Sequence, residues 1–258
     1  KTLTLPALAT VGGAMSVQHN TALTRLGLPA LTTVTGTLTE MDNVLQTSFS
    51  LPALTAVSGD LIIDGSLTTL DLAALKTVGK GLSLTNTALT SLTLTALTTL
   101  SDSLSVTKNP VMTALSLPAL TTVAATLLVN DNPALKTVNV PLVKTVGGSV
   151  TFWTNAALTA VSLPALTSTV EMTVAYNDAL TSLSAPLLAT VSAMLRVSNN
   201  PKLATLNLPA LTTVGGVLNV SYNTALRQCL ADTVKAQLTS APTAYTTMQN
   251  SGTPNICP

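Results

Sequence analysis

Apolar positions along this chain recur on two scales. At short range they alternate: Leu218-x-Val220 and Leu206-x-Leu208 place every second side chain on one side, the period of a strand. At long range the alternating segments return in a fixed order. The phrase Leu-Pro-Ala-Leu starts at Leu5, Leu28, Leu51, Leu117, Leu163 and Leu208, and looser copies start at Leu72, Leu94, Val140 and Ala185. Successive starts lie 21–23 residues apart, giving ten copies of one unit. A copy reads Leu-Pro-Ala-Leu-Thr-Thr-Val-Gly-Gly-x-Leu-x-Val-x-x-Asn-x-Ala-Leu-Thr-x-Leu-x. It predicts three short strands: Leu-x-Val, then x-Leu-x-Leu before the proline, then Leu-Thr-Thr-Val. Thr, Val, Gly and Pro recur where a helix would want Ala, Glu or Lys. The pairs Gly12-Gly13, Gly147-Gly148 and Gly215-Gly216 mark a corner that needs a permissive backbone. A proline at a fixed place suits a second corner, where no ladder donor is required.

One such coil cannot bury its apolar side alone, but a stack can. The expected fold is therefore all-β, a parallel β-solenoid of about ten coils of 21–23 residues over residues 1–228. With coils ~4.8 Å apart it would form a rod roughly 45–50 Å long. Leu, Val, Ile and Met would fill its core, with Phe49 and Phe152 substituting in apolar columns. An asparagine column runs through Asn20, Asn43, Asn86, Asn109, Asn132, Asn155, Asn177, Asn200 and Asn223, with Ser66 standing in at the third coil. An amide offers donors and an acceptor, so stacked asparagines can satisfy corner backbone groups coil after coil. We read this column as an internal ladder rather than a binding surface.

The ends differ from the middle. Residues 229–258 are expected to form a cap, with a helix from Cys229 to Leu238 whose apolar residues 230, 231, 234 and 238 have helical spacing. Pro242 stops it, and a polar tail follows. The two cysteines, Cys229 and Cys257, both fall in this cap, and we expect a disulfide between them. That implies an oxidising, extracellular or cell-surface setting. Lys1 begins inside a repeat, so a signal and further coils are expected upstream. The open first coil also offers strand edges for self-association.

Composition narrows the function. Leu and Thr supply 94 of the 258 residues, while charged residues are 8% and the formal net charge is +1. No basic excess exists to neutralise phosphates, so nucleic acid is not an expected partner. Mean hydropathy is positive, yet Thr, Ser or Asn interrupts every apolar run, and no transmembrane segment is expected. With His19 as the lone histidine and no nucleophile or phosphate-loop motif, catalysis is not expected and no cofactor is required. One acidic group, Glu40, Asp42, Asp60, Asp64 and Asp71, crowds the second and third coils. A calcium site through Asp42, Asp60 and Asp64 is one reading of it, and an irregular solvated patch is the other. Glu40 aligns with Val17 and Ile63, an inward column, so either the strand is distorted or Glu40 is paired.

Two outward features suggest recognition. Trp153, Tyr176, Asn199 and Tyr222 are expected in the turn before the asparagines of successive coils, where aromatic faces beside amides suit sugar or protein ligands. Threonine columns run through Thr10, Thr33, Thr77, Thr99, Thr122, Thr145, Thr190 and Thr213, and through Thr24, Thr47, Thr68, Thr90, Thr113, Thr159 and Thr181. Regular threonine arrays suit ice binding, but here paired threonines are adjacent, so both cannot point outward from one strand.

The phrase GG-x-L-x-V-x-x-N-x-A-L-T-x-L-x-L-P-A-L-T-T-V resembles the receptor L-domain type of leucine-rich coil over residues 1–228. The 23-residue period also resembles leucine-rich repeats of bacterial adhesins, although their AF-x-x-C signature is absent. The resemblance implies a right-handed solenoid of a bacterial or receptor surface protein and supplies no catalytic residues. The expected function is a non-catalytic extracellular adhesion module that binds a cell-surface protein or glycan on one solenoid face. A structural spacer or surface-assembly element is the first alternative, and ice binding is the second.

Overall fold

The structure, a computed structural model, describes residues 1–252. It is an all-β parallel solenoid of about 11 coils with one short helix. Each regular coil contributes three strands, as the alternation requires. In the second coil they are Arg25–Gly27, Thr33–Val34 and Leu38–Met41. Each strand pairs in parallel with its equivalent one coil on: Leu26 lies opposite Phe49, Val34 opposite Val57, and Leu38 opposite Leu61. The two-residue and four-residue strands join one continuous 19-stranded sheet, while the strands before the proline corner fall into separate sheets of four, three and three.

Three corners close each coil. At Leu-Pro-Ala-Leu the fourth residue's N–H donates to the first residue's carbonyl, as from Leu31 to Leu28 and from Leu211 to Leu208. Proline sits second in that turn, where its fixed φ fits and its missing N–H is not needed. A second turn of the same kind starts at the asparagine, as from Leu135 N–H to Asn132 O and from Leu158 N–H to Asn155 O. The third corner carries the glycine pairs. A Cβ on Gly147 or Gly215 would collide with the carbonyl oxygen of Ala124 or Ser192 in the preceding coil, so close approach between coils requires glycine there.

Inside, equal positions stack into apolar columns. Leu38, Leu61, Leu82, Leu104, Leu127, Val150, Met172, Leu195 and Leu218 form one, each at most 2% exposed. Phe152 lies between Val129 and Val174 in the next column, and Phe49 follows Leu26, so both aromatics substitute in core columns.

After residue 228 the chain forms the expected short helix and then one further coil. Helix α1 (Gln228–Ala236) replaces one strand and one proline corner of a further coil. Its buried Ala231 and Val234 pack on the core, and Gln237 Nε2 donates to Leu208 O at 2.6 Å. Thr239 then bonds Thr212, Ala244–Thr246 pairs with Val217–Ser221, and Asn250 stacks on Asn223. This coil spans 27 residues from Asn223 to Asn250, because the helix makes it longer than its neighbours. Cys229 lies in the first turn of α1, whereas Cys257 lies outside the described residues, and so does their pairing. No helix among the described residues is long and apolar enough to cross a membrane.

Candidate ligand-binding face

The asparagine corner builds the candidate site. Asn43, Asn132, Asn155, Asn177, Asn200 and Asn223 each accept on Oδ1 from the backbone N–H and the Nδ2 of the asparagine one coil before. Asn155 Oδ1 takes Asn132 N at 3.2 Å and Asn132 Nδ2 at 3.1 Å, and Asn177 Oδ1 takes Asn155 N at 3.0 Å. The same Nδ2 donates to carbonyls of its own and the preceding coil, as from Asn155 to Val129 O at 2.9 Å and Trp153 O at 3.2 Å. Asn109, Asn132, Asn155, Asn177, Asn200 and Asn223 are fully buried. This satisfies backbone groups that would otherwise be orphaned.

Two details correct the sequence reading. Asn86 is not a rung: Thr87 occupies the ladder slot, and its N–H and hydroxyl both donate to Asn109 Oδ1, at 3.0 and 2.7 Å. Asn250, which the 23-residue period hides, ends the ladder.

Asn86 instead belongs to the slot just before the ladder, where the backbone is left-handed. His19, Asp42, Asn86, Lys108, Asp131, Thr154, Tyr176, Asn199, Tyr222 and Gln249 all have φ between 53° and 58°. For residues such as Thr154 and Tyr176 that conformation costs about 1–2 kcal/mol. It persists because the buried asparagine that follows fixes the corner. The geometric result is display, since every residue in this slot stands out along one edge of the rod.

Tyr176, Asn199 and Tyr222 share that slot on three successive coils, as expected. Trp153 does not. It lies opposite Ala175 at the end of its strand, one position earlier, with Thr154 in the left-handed slot. The one-residue offset still lets the rings meet: Trp153 and Tyr176 centroids are 4.8 Å apart with planes tilted by 45°. Arg196, which sequence reasoning missed, completes the cluster. Its guanidinium carbon sits 4.9 Å from the Trp153 centroid and 5.8 Å from the Tyr176 centroid. Its Nε donates to Ser198 Oγ at 2.8 Å. Only the register reveals this neighbour, because Arg196 follows Thr151 and Thr173 in the adjacent outward row. No carboxylate of the described residues pairs with Arg196. Tyr176 is 41% exposed and Tyr222 43%, with Tyr222 two coils on, ~10 Å away.

The acidic group does not converge. Asp42 reaches back to His19 Nδ1 at 3.3 Å, while Asp64 reaches forward to accept from Asn86 Nδ2 at 3.0 Å. Asp60 Oδ1 accepts from Gly81 N at 3.1 Å, four residues and ~13 Å before Asp64. Among the described residues no group of three His, Cys, Asp or Glu side chains is placed to hold a metal ion. The carboxylates of Asp42, Asp60 and Asp64 thus point to separate partners rather than to one centre.

Glu40 keeps its inward position and is 1% exposed. The reason lies in the ladder. Ser66 gives Asn43 no amide oxygen to donate to, and Glu40 Oε1 takes that role, accepting from Asn43 Nδ2 at 2.9 Å. Burial pushes the Glu40 carboxyl above its ordinary value, against the Asn43 bond, and the nearby charges of Asp64 and Asp42 add to the rise. Oε2 has no partner, and neither does either amide atom of Gln46, which replaces leucine in a buried corner column of the same coil.

The threonine arrays are partly structural. Thr24, Thr68, Thr113, Thr159 and Thr181 each donate a hydroxyl to a carbonyl of the preceding coil. Thr32, Thr98, Thr121 and Thr212, first of their adjacent pairs, do the same, and so does Thr55 ahead of Ala56. Thr10, Thr33, Thr77, Thr99, Thr122 and Thr145 lie in the second, strand position. Comparison with protein-family models, curated proteins and solved structures finds no match for this chain.

Proposed function

We propose that this chain is a non-catalytic recognition module that binds a glycan or a protein ligand outside the cell or at its surface. The binding face would carry Trp153, Tyr176, Asn199 and Tyr222, together with Arg196. The observation that carries the reading is the contact of the Trp153 and Tyr176 rings beneath a guanidinium with no carboxylate partner. In a chain with 2% aromatic residues, this grouping on an exposed edge has no packing task in the core. Aromatic side chains and arginine are the residues that dominate binding energy at interfaces.

The non-catalytic part of the reading is supported by His19. It is 69% exposed and paired only with Asp42, and no hydroxyl among the described residues hydrogen-bonds to its ring. The likeness of the repeat phrase to receptor L-domains and bacterial surface proteins belongs to the same proposal. So does a Cys229–Cys257 disulfide fastening the tail in an oxidising compartment. The test is binding of the purified chain to a glycan array and to whole cells, beside a Trp153→Ala/Tyr176→Ala variant. Binding that disappears in the variant supports the reading. Binding that persists moves the site to another face, and no binding at all overturns it.

A further inference from the structure

The same face has a chemical selectivity built into it, and the inference rests on the recognition reading above. Arg196 is one of 11 basic residues in a chain of low charge, and its side chain is already ordered. Nε is held by Ser198 Oγ at 2.8 Å, and the guanidinium lies against Trp153 and Tyr176. Its terminal nitrogens are the ends that form parallel hydrogen bonds to a carboxylate. They donate to no acceptor among the described residues, since the bond from Nε to Ser198 Oγ is the one side-chain hydrogen bond Arg196 makes there. A guanidinium fixed before binding loses little side-chain freedom when a ligand arrives.

The surroundings choose the kind of carboxylate. Tyr176 and Tyr222 flank Asn199 along the edge, with Thr154 in the same slot one coil before Tyr176 and Thr151 two residues before Trp153 on its strand. Hydroxyls, an amide and two phenol rings suit the many hydroxyls and the apolar ring face of a sugar. Arg196 is the one cation of the cluster, and with Asp131 one coil before Thr154 and Asp178 beside Tyr176 the edge suits a single negative charge rather than a densely acidic peptide. We propose that this face binds an acidic sugar, a pyranose bearing a single carboxylate. Arg196 would take the carboxylate, and Tyr176 and Asn199 would lie against the ring and its hydroxyls. Trp153 would act as a positioning residue that holds the guanidinium and the Tyr176 ring in place.

The test compares two probes that differ in one group. Calorimetric titration of the full chain uses a glucuronate-terminated disaccharide and its glucose-terminated analogue, with a glutamate-rich peptide as a third arm. The acidic disaccharide is expected to bind at least roughly ten-fold more tightly than the neutral one. Arg196→Gln is expected to erase that difference while leaving the melting temperature in place. Arg196→Lys keeps the charge but not the fork, and is expected to fall between the two. Equal binding of the two sugars, or an undiminished preference in Arg196→Gln, overturns the proposal. Equal binding of the two sugars that the Trp153→Ala/Tyr176→Ala variant loses would sink the acidic-sugar inference while sparing the recognition reading. Tighter binding of the acidic peptide would also sink it, and the absence of binding to either sugar would do the same.

Discussion

Replacing Asn155 with alanine removes a side chain that makes five hydrogen bonds in a dry corner. Its Oδ1 accepts from Asn132 N and Nδ2, and its Nδ2 donates to Val129 O, Trp153 O and Asn177 Oδ1. Some partners keep other bonds: Asn132 Nδ2 still reaches Val106 O and Asn130 O, and Trp153 O still accepts from Asp131 N. The buried Asn132 N–H loses its partner outright, while the Val129 carbonyl, in the strand ladder opposite Phe152, loses its second one. At ~1–3 kcal/mol for an unsatisfied buried group and ~1 kcal/mol for a further lost hydrogen bond, the loss is about 3 kcal/mol. That is a large share of the ~5–15 kcal/mol that holds a domain together. The control is Asn20→Ala, at the exposed start of the ladder, where water can replace the lost partners and the cost stays below ~1 kcal/mol. Urea denaturation of both variants, followed by far-UV circular dichroism, gives the comparison. Losses of similar size in the two variants would refute the argument that buried ladder bonds fix the left-handed corner.

Three further outcomes follow from the second coil and the tail. Because the folded-state pKa of Glu40 is raised, the folded chain holds its proton more tightly than the unfolded chain, so stability falls as pH rises above the ordinary value of 4.5. Glu40→Gln, which keeps an acceptor for Asn43, should therefore be more stable than the native chain at neutral pH and equal to it below pH 4.5, as melting curves across pH would show. Gln46→Leu should add roughly 2 kcal/mol by removing two unpartnered buried atoms from an apolar column, and a variant no more stable than the native chain would count against that accounting. The proposed Cys229–Cys257 bond closes a loop whose reduction should cost roughly 3–4 kcal/mol. Intact mass with and without reductant shows whether the bond is present, and melting in the same two conditions gives its worth.

The regular part of the chain was legible because strand alternation and coil length agree across many copies. The three strands, the glycine corner and the proline corner all follow from that agreement, and so do the core columns of Phe49 and Phe152. Errors arose where two neighbouring slots favour the same residue. The left-handed slot and the ladder slot both suit asparagine, so residue type alone could not separate Asn86 from Thr87 once the third and fourth coils had shortened. The shorter coil between Asn155 and Asn177 slid Trp153 by one position in the same way. Arg196 was invisible because its neighbours come from two other coils, and contact across coils depends on register rather than on local sequence. The final coil escaped detection because helix α1 lengthens it beyond the period.

Trp153 is the sole tryptophan, so its emission reports on this face alone. The most direct measurement is fluorescence titration with the strongest ligand from the array, with calorimetry of the same samples. Recognition through the Trp153–Tyr176–Arg196 cluster predicts a saturable change in emission whose midpoint matches the calorimetric one and which Tyr176→Ala weakens. Calorimetric binding with unchanged Trp153 emission would contradict the account and place the ligand elsewhere on the rod.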